Sequence, residues 1–296
     1  METTQAIFNT VLAVFIVTTM LNAGFNTTFE QITRALSRVR LVTAILVVAF
    51  VVRPLIGWGT AELLSLATPA FVAMALLWSA PGAPFGAKLV MTANADVQTG
   101  AVLQVLLAVI GSITFAPTAN AILSGAALGD GVSLPVGDLV KTVAALQLIP
   151  FALGIVTRHW AESRAVEWSE FAQRTSNVTF LFVIAGAFLG SWDTIVDLVG
   201  SRVNLAAIIA SAVVLTIGYL GAVGQEPGTR QAAALIQPGT NAGPAFAAVA
   251  IAFDGDPDIL GAVVAILLFQ IVVGLAMAVY FARGNRDTAE PTPART

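Results

Sequence analysis

Cysteine is absent from the 296 residues, which excludes disulfides, iron–sulfur clusters and thiolate chemistry. Charge is scarce too: 10% of residues are Asp, Glu, Lys or Arg, where a soluble globular chain carries about a quarter. The single histidine, His159, stands between Arg158 and Trp160, where a surface role is expected. No HExxH, G-x-S-x-G or P-loop occurs, and no two acids sit inside apolar runs. The chain is therefore not expected to be an enzyme, nor to drive anything with ATP. No cofactor is expected.

What is abundant is apolar surface. Hydrophobic residues make up 57% of the chain and its mean hydropathy is +0.87. Long apolar runs without period-two alternation predict a polytopic all-α membrane protein rather than a β-barrel. The stretch Met1 to Gln5 lacks a basic region, so the first run is read as a transmembrane helix rather than a cleaved signal. Nine apolar segments are expected, at about 6–23, 41–61, 69–94, 98–124, 138–157, 176–192, 203–224, 230–253 and 259–282. Between the first two, Phe29, Ile32, Leu36 and Val39 share one helical face, and Thr28 with Gln31 forms a capping-box pattern. That stretch is expected to lie in the membrane interface.

Basic residues cluster in alternate loops. Arg34, Arg38, Arg40, Arg158, Arg164, Arg174, Arg230, Arg283 and Arg286 follow odd-numbered segments, whereas only Arg202 follows an even one. The positive-inside rule then predicts an outside amino terminus and a cytoplasmic carboxyl terminus. The tail 285–296 is polar and expected to be disordered.

Two segments are interrupted. The third contains Ala80-Pro81-Gly82-Ala83-Pro84-Phe85-Gly86-Ala87-Lys88, and the eighth contains Gln237-Pro238-Gly239-Thr240-Asn241-Ala242-Gly243-Pro244. Proline removes a backbone donor and clashes with the preceding turn, so each run is expected to split into half-helices near 81–85 and 237–244. Five segments apart, the two cross in opposite directions, as in an inverted repeat of four spans (1–124) and five (125–284). If the breaks meet, their free backbone dipoles face a shared cavity. Pro81, Gly82, Pro84, Gly86, Ala87, Gln237, Pro238, Gly239, Thr240 and Asn241 are the candidate crossing and substrate residues.

Lys88 is read as the one basic residue buried within a span, and an intramembrane charge is a functional hypothesis by default. Asp96, with Asn94, is expected to cap the junction of the third and fourth segments. Gln98, Gln104 and Gln270 are expected to bond between helices, and Arg53 to snorkel toward the nearer membrane surface.

The run Leu21-Asn22-Ala23-Gly24-Phe25-Asn26 with Phe29, then Arg53-Pro54-Leu55, Pro81-Gly82, Met91-Thr92-Ala93-Asn94-Ala95-Asp96-Val97, Ala116-Pro117-Thr118 and Asn241-Ala242-Gly243 resembles the bile acid:sodium symporter superfamily. The resemblance implies panel and core domains, two discontinuous helices crossing in the core, and transport of small organic anions such as bile acids and carboxylates, commonly with sodium. It also locates departures. Where the family supplies sodium-binding oxygens, this chain has Ala49, Gly86, Ala87, Gly100, Gln104 and Ile236 or Gln237. The expectation is that the Lys88 ammonium stands in for the bound cation and that transport is sodium-independent, proton-linked or facilitative. A secondary transporter of a small organic anion, working by alternating access in the plasma or inner membrane, is thus the reading; a non-transporting sensor or scaffold on the same fold is the alternative.

Overall fold

The computed structural model describes residues 2–126, 134–190 and 192–287. The stretch 127–133 and the tail from 288 onward lie outside it, and with them most of the expected disordered tail. Every named element is helical, and among the described residues the sole strand-like contact is one isolated bridge.

The helices are α1 (Glu2–Phe25), α2 (Phe29–Ser37), α3 (Val39–Val47), α4 (Arg53–Leu63), α5 (Thr68–Trp78), α6 (Pro84–Thr92) and α7 (Val97–Gly125), followed by α8 (Val136–Trp160), α9 (Glu162–Gly190), α10 (Trp192–Leu198), α11 (Arg202–Gly221), α12 (Pro227–Leu235), α13 (Ala242–Ala252) and α14 (Pro257–Asp287). Among the described residues six stretches are long and apolar enough to cross a membrane: Ala6–Phe25, Val39–Leu63, Val97–Gly125, Val136–Trp160, Arg202–Gly221 and Pro257–Asn285. They match six of the nine expected segments. The third and eighth are split, giving α5 with α6 and α12 with α13. The sixth is the apolar end of the long α9, and α14 extends helically to Asp287, past the start expected for the tail.

Local rules explain the joints. A π-helical turn, Val48–Val52, links α3 to α4 because Pro54 has no amide to give the carbonyl four residues back, and the Arg53 amide bonds instead to Val48 O. The capping box at α2 closes both ways: Thr28 Oγ1 accepts from the Gln31 amide at 3.2 Å, and Gln31 Oε1 accepts from the Thr28 amide at 2.9 Å.

Packing sorts the helices into two groups. α1, α8 and α9 lie against one another. The approach of α1 to α8 is so close at Gly24 and Gly154 that a Cβ on Gly24 would lie 2.4 Å from Phe151 O, and only hydrogen fits. The second group holds α11 against α12, α14 and α4, α14 against α5, and α6 against α7. α5, α6 and α12 sit within this second group, whereas α13 packs on α5 and α14 and also on α1 and α8, and α7 packs on both α6 and α8.

Candidate functional site

The two interruptions meet. Pro81 and Thr240 form an isolated antiparallel bridge, and the Asn241 amide donates to Ala80 O at 2.8 Å. Gly82 has φ +95°, and a Cβ there would fall 2.3 Å from the Ala108 amide nitrogen, so the first break presses its bare backbone onto α7. Pro84 opens α6, and Gly243 and Pro244 already belong to the first turn of α13, so the second break is shorter than expected.

Arg53 holds the junction. It is wholly buried, not snorkelled toward a surface as expected: Nη1 donates to Trp78 O at 2.9 Å, and Nη2 donates to Leu77 O at 3.1 Å and to Thr240 Oγ1. Its guanidinium also lies 5.1 Å from the centre of the Trp78 ring. The cause is the first break itself. Ending α5 at Trp78 leaves its last carbonyls, at the negative end of the helix dipole, without intrahelical donors, and a cation that forks into several N–H groups satisfies them. Thr240 also donates to Leu77 O at 3.2 Å, so Arg53 and Thr240 together tie one break to the other.

A cavity of about 1030 Å³ opens beside the junction. Its walls come from α1 and α9 on one side and from α6, α7, α14 and both breaks on the other. It runs from the end of the molecule where Asn26, Gln31 and Gln98 lie inward to Phe15, Ile184 and Val264. Lys88 is the sole charged residue on the wall; its side chain is exposed there and has no carboxylate partner among the described residues. Gly82, Ala87, Gln104, Pro238, Gly239, Thr240 and Asn241 also line the cavity. Pro81 is buried in the bridge and Gly86 packs toward Gln104 and Ile236. Gln237 is apart from them: buried, off the cavity wall, with its chain against Gly218 of α11 and neither carboxamide atom partnered.

Asp96 is not on the cavity wall and serves the fold. It caps α7, accepting from the Thr99 amide at 3.0 Å and from the Thr229 hydroxyl at 2.8 Å, while its own amide donates to Gly228 O. Burial pushes its carboxyl up, but the Thr99 and Thr229 hydrogen bonds and the charge of Arg38 outweigh that and hold it below the usual value.

Three features were not read from the sequence. Gln147 on α8 is fully buried; its Oε1 accepts from Ser112 Oγ at 2.6 Å and from Asn241 Nδ2 at 3.2 Å, and its Nε2 has no partner. Leaving such a group unsatisfied costs about 1–3 kcal/mol. Gln270 on α14 lines the cavity, is 4% exposed, and has both carboxamide atoms unpartnered, against the expectation of an interhelical bond. The third is a ladder on α1 and α9: Asn26 Nδ2 donates to Asn22 Oδ1, Asn22 Nδ2 to Gln173 Oε1, and Gln173 Nε2 to Asn177 Oδ1. The helical spacing of Asn22 with Asn26 and of Gln173 with Asn177 was the signal available for it.

Whether these residues suit a sodium ion can be asked directly. Ala49, Gly86, Ala87, Gly100 and Ile236 offer no side-chain oxygen. The oxygen of Gln104 is taken by the Ala87 amide, Gln237 adds one unpartnered carboxamide oxygen away from the cavity, and among the described residues no group of three acids or histidines gathers anywhere. A hard cation wants several oxygen ligands, preferably with a carboxylate. These positions do not provide them.

Helices that stop mid-span and meet beside a large, mainly apolar cavity with a few polar groups define a multi-pass membrane protein built to hold a solute. The chain matches the model of the Sodium Bile acid symporter family over residues 13–206, and it belongs to that family. It is accordingly a membrane secondary transporter and not an enzyme. A comparison with curated proteins found no match.

Proposed function

We propose that the protein carries a small organic monoanion, carboxylate-like, across the plasma or inner membrane by alternating access without sodium. The observation that carries this reading is the lone ammonium of Lys88 on an otherwise uncharged cavity wall. One fixed positive charge in a low-dielectric cleft favours one negative charge, and a second would go unbalanced. The remaining wall is mixed: carboxamides and hydroxyls such as Asn22, Ser176 and Asn241 alternate with Phe15, Met20 and Phe180, which suits an anion with both polar and apolar parts.

The moving parts are assigned to the two helix groups, with α1, α8 and α9 as the panel and the crossing helices in the core. The chain is read as nine spans in an inverted repeat of four and five, amino terminus outside. The placement of the two broken helices in corresponding halves and the arginine-rich loops support this. The cavity mouth then faces the cytoplasm. Lys88 supplies the charge that a bound cation would otherwise bring.

Uptake of a labelled monocarboxylate into proteoliposomes tests the reading, with the wild type and Lys88→Ala compared with and without a sodium gradient. The expected result is uptake indifferent to sodium and reduced at least about tenfold by Lys88→Ala, with unchanged melting temperature. Undiminished sodium-driven uptake in the variant would sink it. Ligand-induced stabilisation with no flux in the wild type would favour a sensor.

A further inference from the structure

The cavity floor is polar, and one residue of it belongs to the opposite helix group. Ser112 lies one turn beyond Ala108, the innermost α7 residue on the cavity wall, or about 6 Å deeper along the helix. There its hydroxyl, whose one proton is shared between Ala108 O at 2.8 Å and Gln147 Oε1 at 2.6 Å, reaches α8, and Gln147 also accepts from Asn241. Beyond these three the molecule is closed by apolar packing of Leu12, Phe115, Leu139, Val143, Phe246 and Val249. Asn241 alone of the three also lines the cavity.

We propose that Gln147 is a floor latch: its bond to Asn241 holds the α1–α8–α9 group against the crossing on the closed side, and a solute engaging Asn241 loosens it. Two observations combine here. The bond joins the two groups whose separation alternating access requires, as the Ser112 bond also does, but of the two donors only Asn241 lines the cavity, where a solute can reach it. Gln147 Nε2, fully buried and unpartnered, adds a bias. Closed, the floor leaves that N–H dry; open, water satisfies it, so the closed state depends on the Asn241 bond for its margin. Gln147 does not line the cavity and is a positioning residue, acting through Asn241. The inference rests on the transporter reading above.

The absence of native cysteine makes a labelling test clean. Two full-length single-cysteine proteins serve as reporters: Val143→Cys, one turn past Gln147 on the closed side, and Ala101→Cys on the cavity wall. In purified protein, Gln147→Leu is expected to raise maleimide labelling at the first position at least about tenfold and to lower it at the second. Opposite changes report a shift between two states; a rise at both reports general loosening and overturns the proposal. Ser112→Ala, which removes the other bond to Gln147 but leaves the Asn241 bond, should change both rates less than Gln147→Leu does. Adding Gln147→Leu to Asn241→Ala should change little, because the bond is already gone. No change on Gln147→Leu, an equal effect of Ser112→Ala, or full additivity with Asn241→Ala would each refute the latch. If labelling behaves as expected while no monocarboxylate is taken up, the latch stands and the solute reading falls.

Discussion

Arg53 shows how a charge can be at home in an apolar core without an acid. Its partners are the carbonyls that a broken helix exposes, and they exist only because α5 stops at Trp78. This is also why the sequence misled: Arg53 next to Pro54 near a helix end looks free to snorkel, and its partners lie more than twenty residues away and, at Thr240, in the other half of the chain. Arg53→Lys keeps the charge but loses the fork, and should lower stability by about 2–3 kcal/mol in thermal unfolding. An unchanged melting temperature would mean the carbonyls are satisfied some other way. Asp96 gives a pH-dependent counterpart. Its folded pKa is depressed, so its contribution is present above the unfolded carboxyl value of about 3.9 and is lost as pH falls through the lower folded value. Asp96→Asn should therefore melt below wild type at neutral pH, and the gap should narrow below about pH 4.

At the scale of elements, the interruptions were legible because proline and glycine act locally. Pro81-Gly82 and Pro238-Gly239 break their helices wherever they are placed, and the capping box at Thr28 and Gln31 needs only its own four residues. The close fit of the first break was not legible, because it depends on Ala108, which folding alone brings near. Gly82→Ala meets both a positive φ and a backbone contact, and should cost well over about 1 kcal/mol, read as a lower melting temperature. Gly59→Ala, which meets nothing within 4 Å, is the matching control and should be near neutral.

For the whole molecule, hydropathy alone marked the apolar segments, but not which of them pack together. The grouping of α1 with α8 and α9 rests on contacts such as Gly24 with Gly154, between residues far apart in sequence. Gln147 was overlooked for the same reason: inside an apolar run it is one polar residue among many, and its meaning comes from Ser112 and Asn241. Removing sodium from both sides of a proteoliposome should leave the initial rate of monoanion uptake unchanged within about twofold, since the positions that would ligate the ion offer at most the one carboxamide oxygen of Gln237, off the cavity wall, and no carboxylate. A collapse of the rate would show that coupling oxygens come from elsewhere.

The unaccompanied Lys88 has an electrical consequence. On the proposed reading, a cavity whose only wall charge among the described residues is the Lys88 ammonium carries one positive charge when empty and none once a monoanion is seated. Membrane voltage would then act on the vacant return stroke rather than on the loaded one, so that a potential changes the maximal turnover through the resetting step.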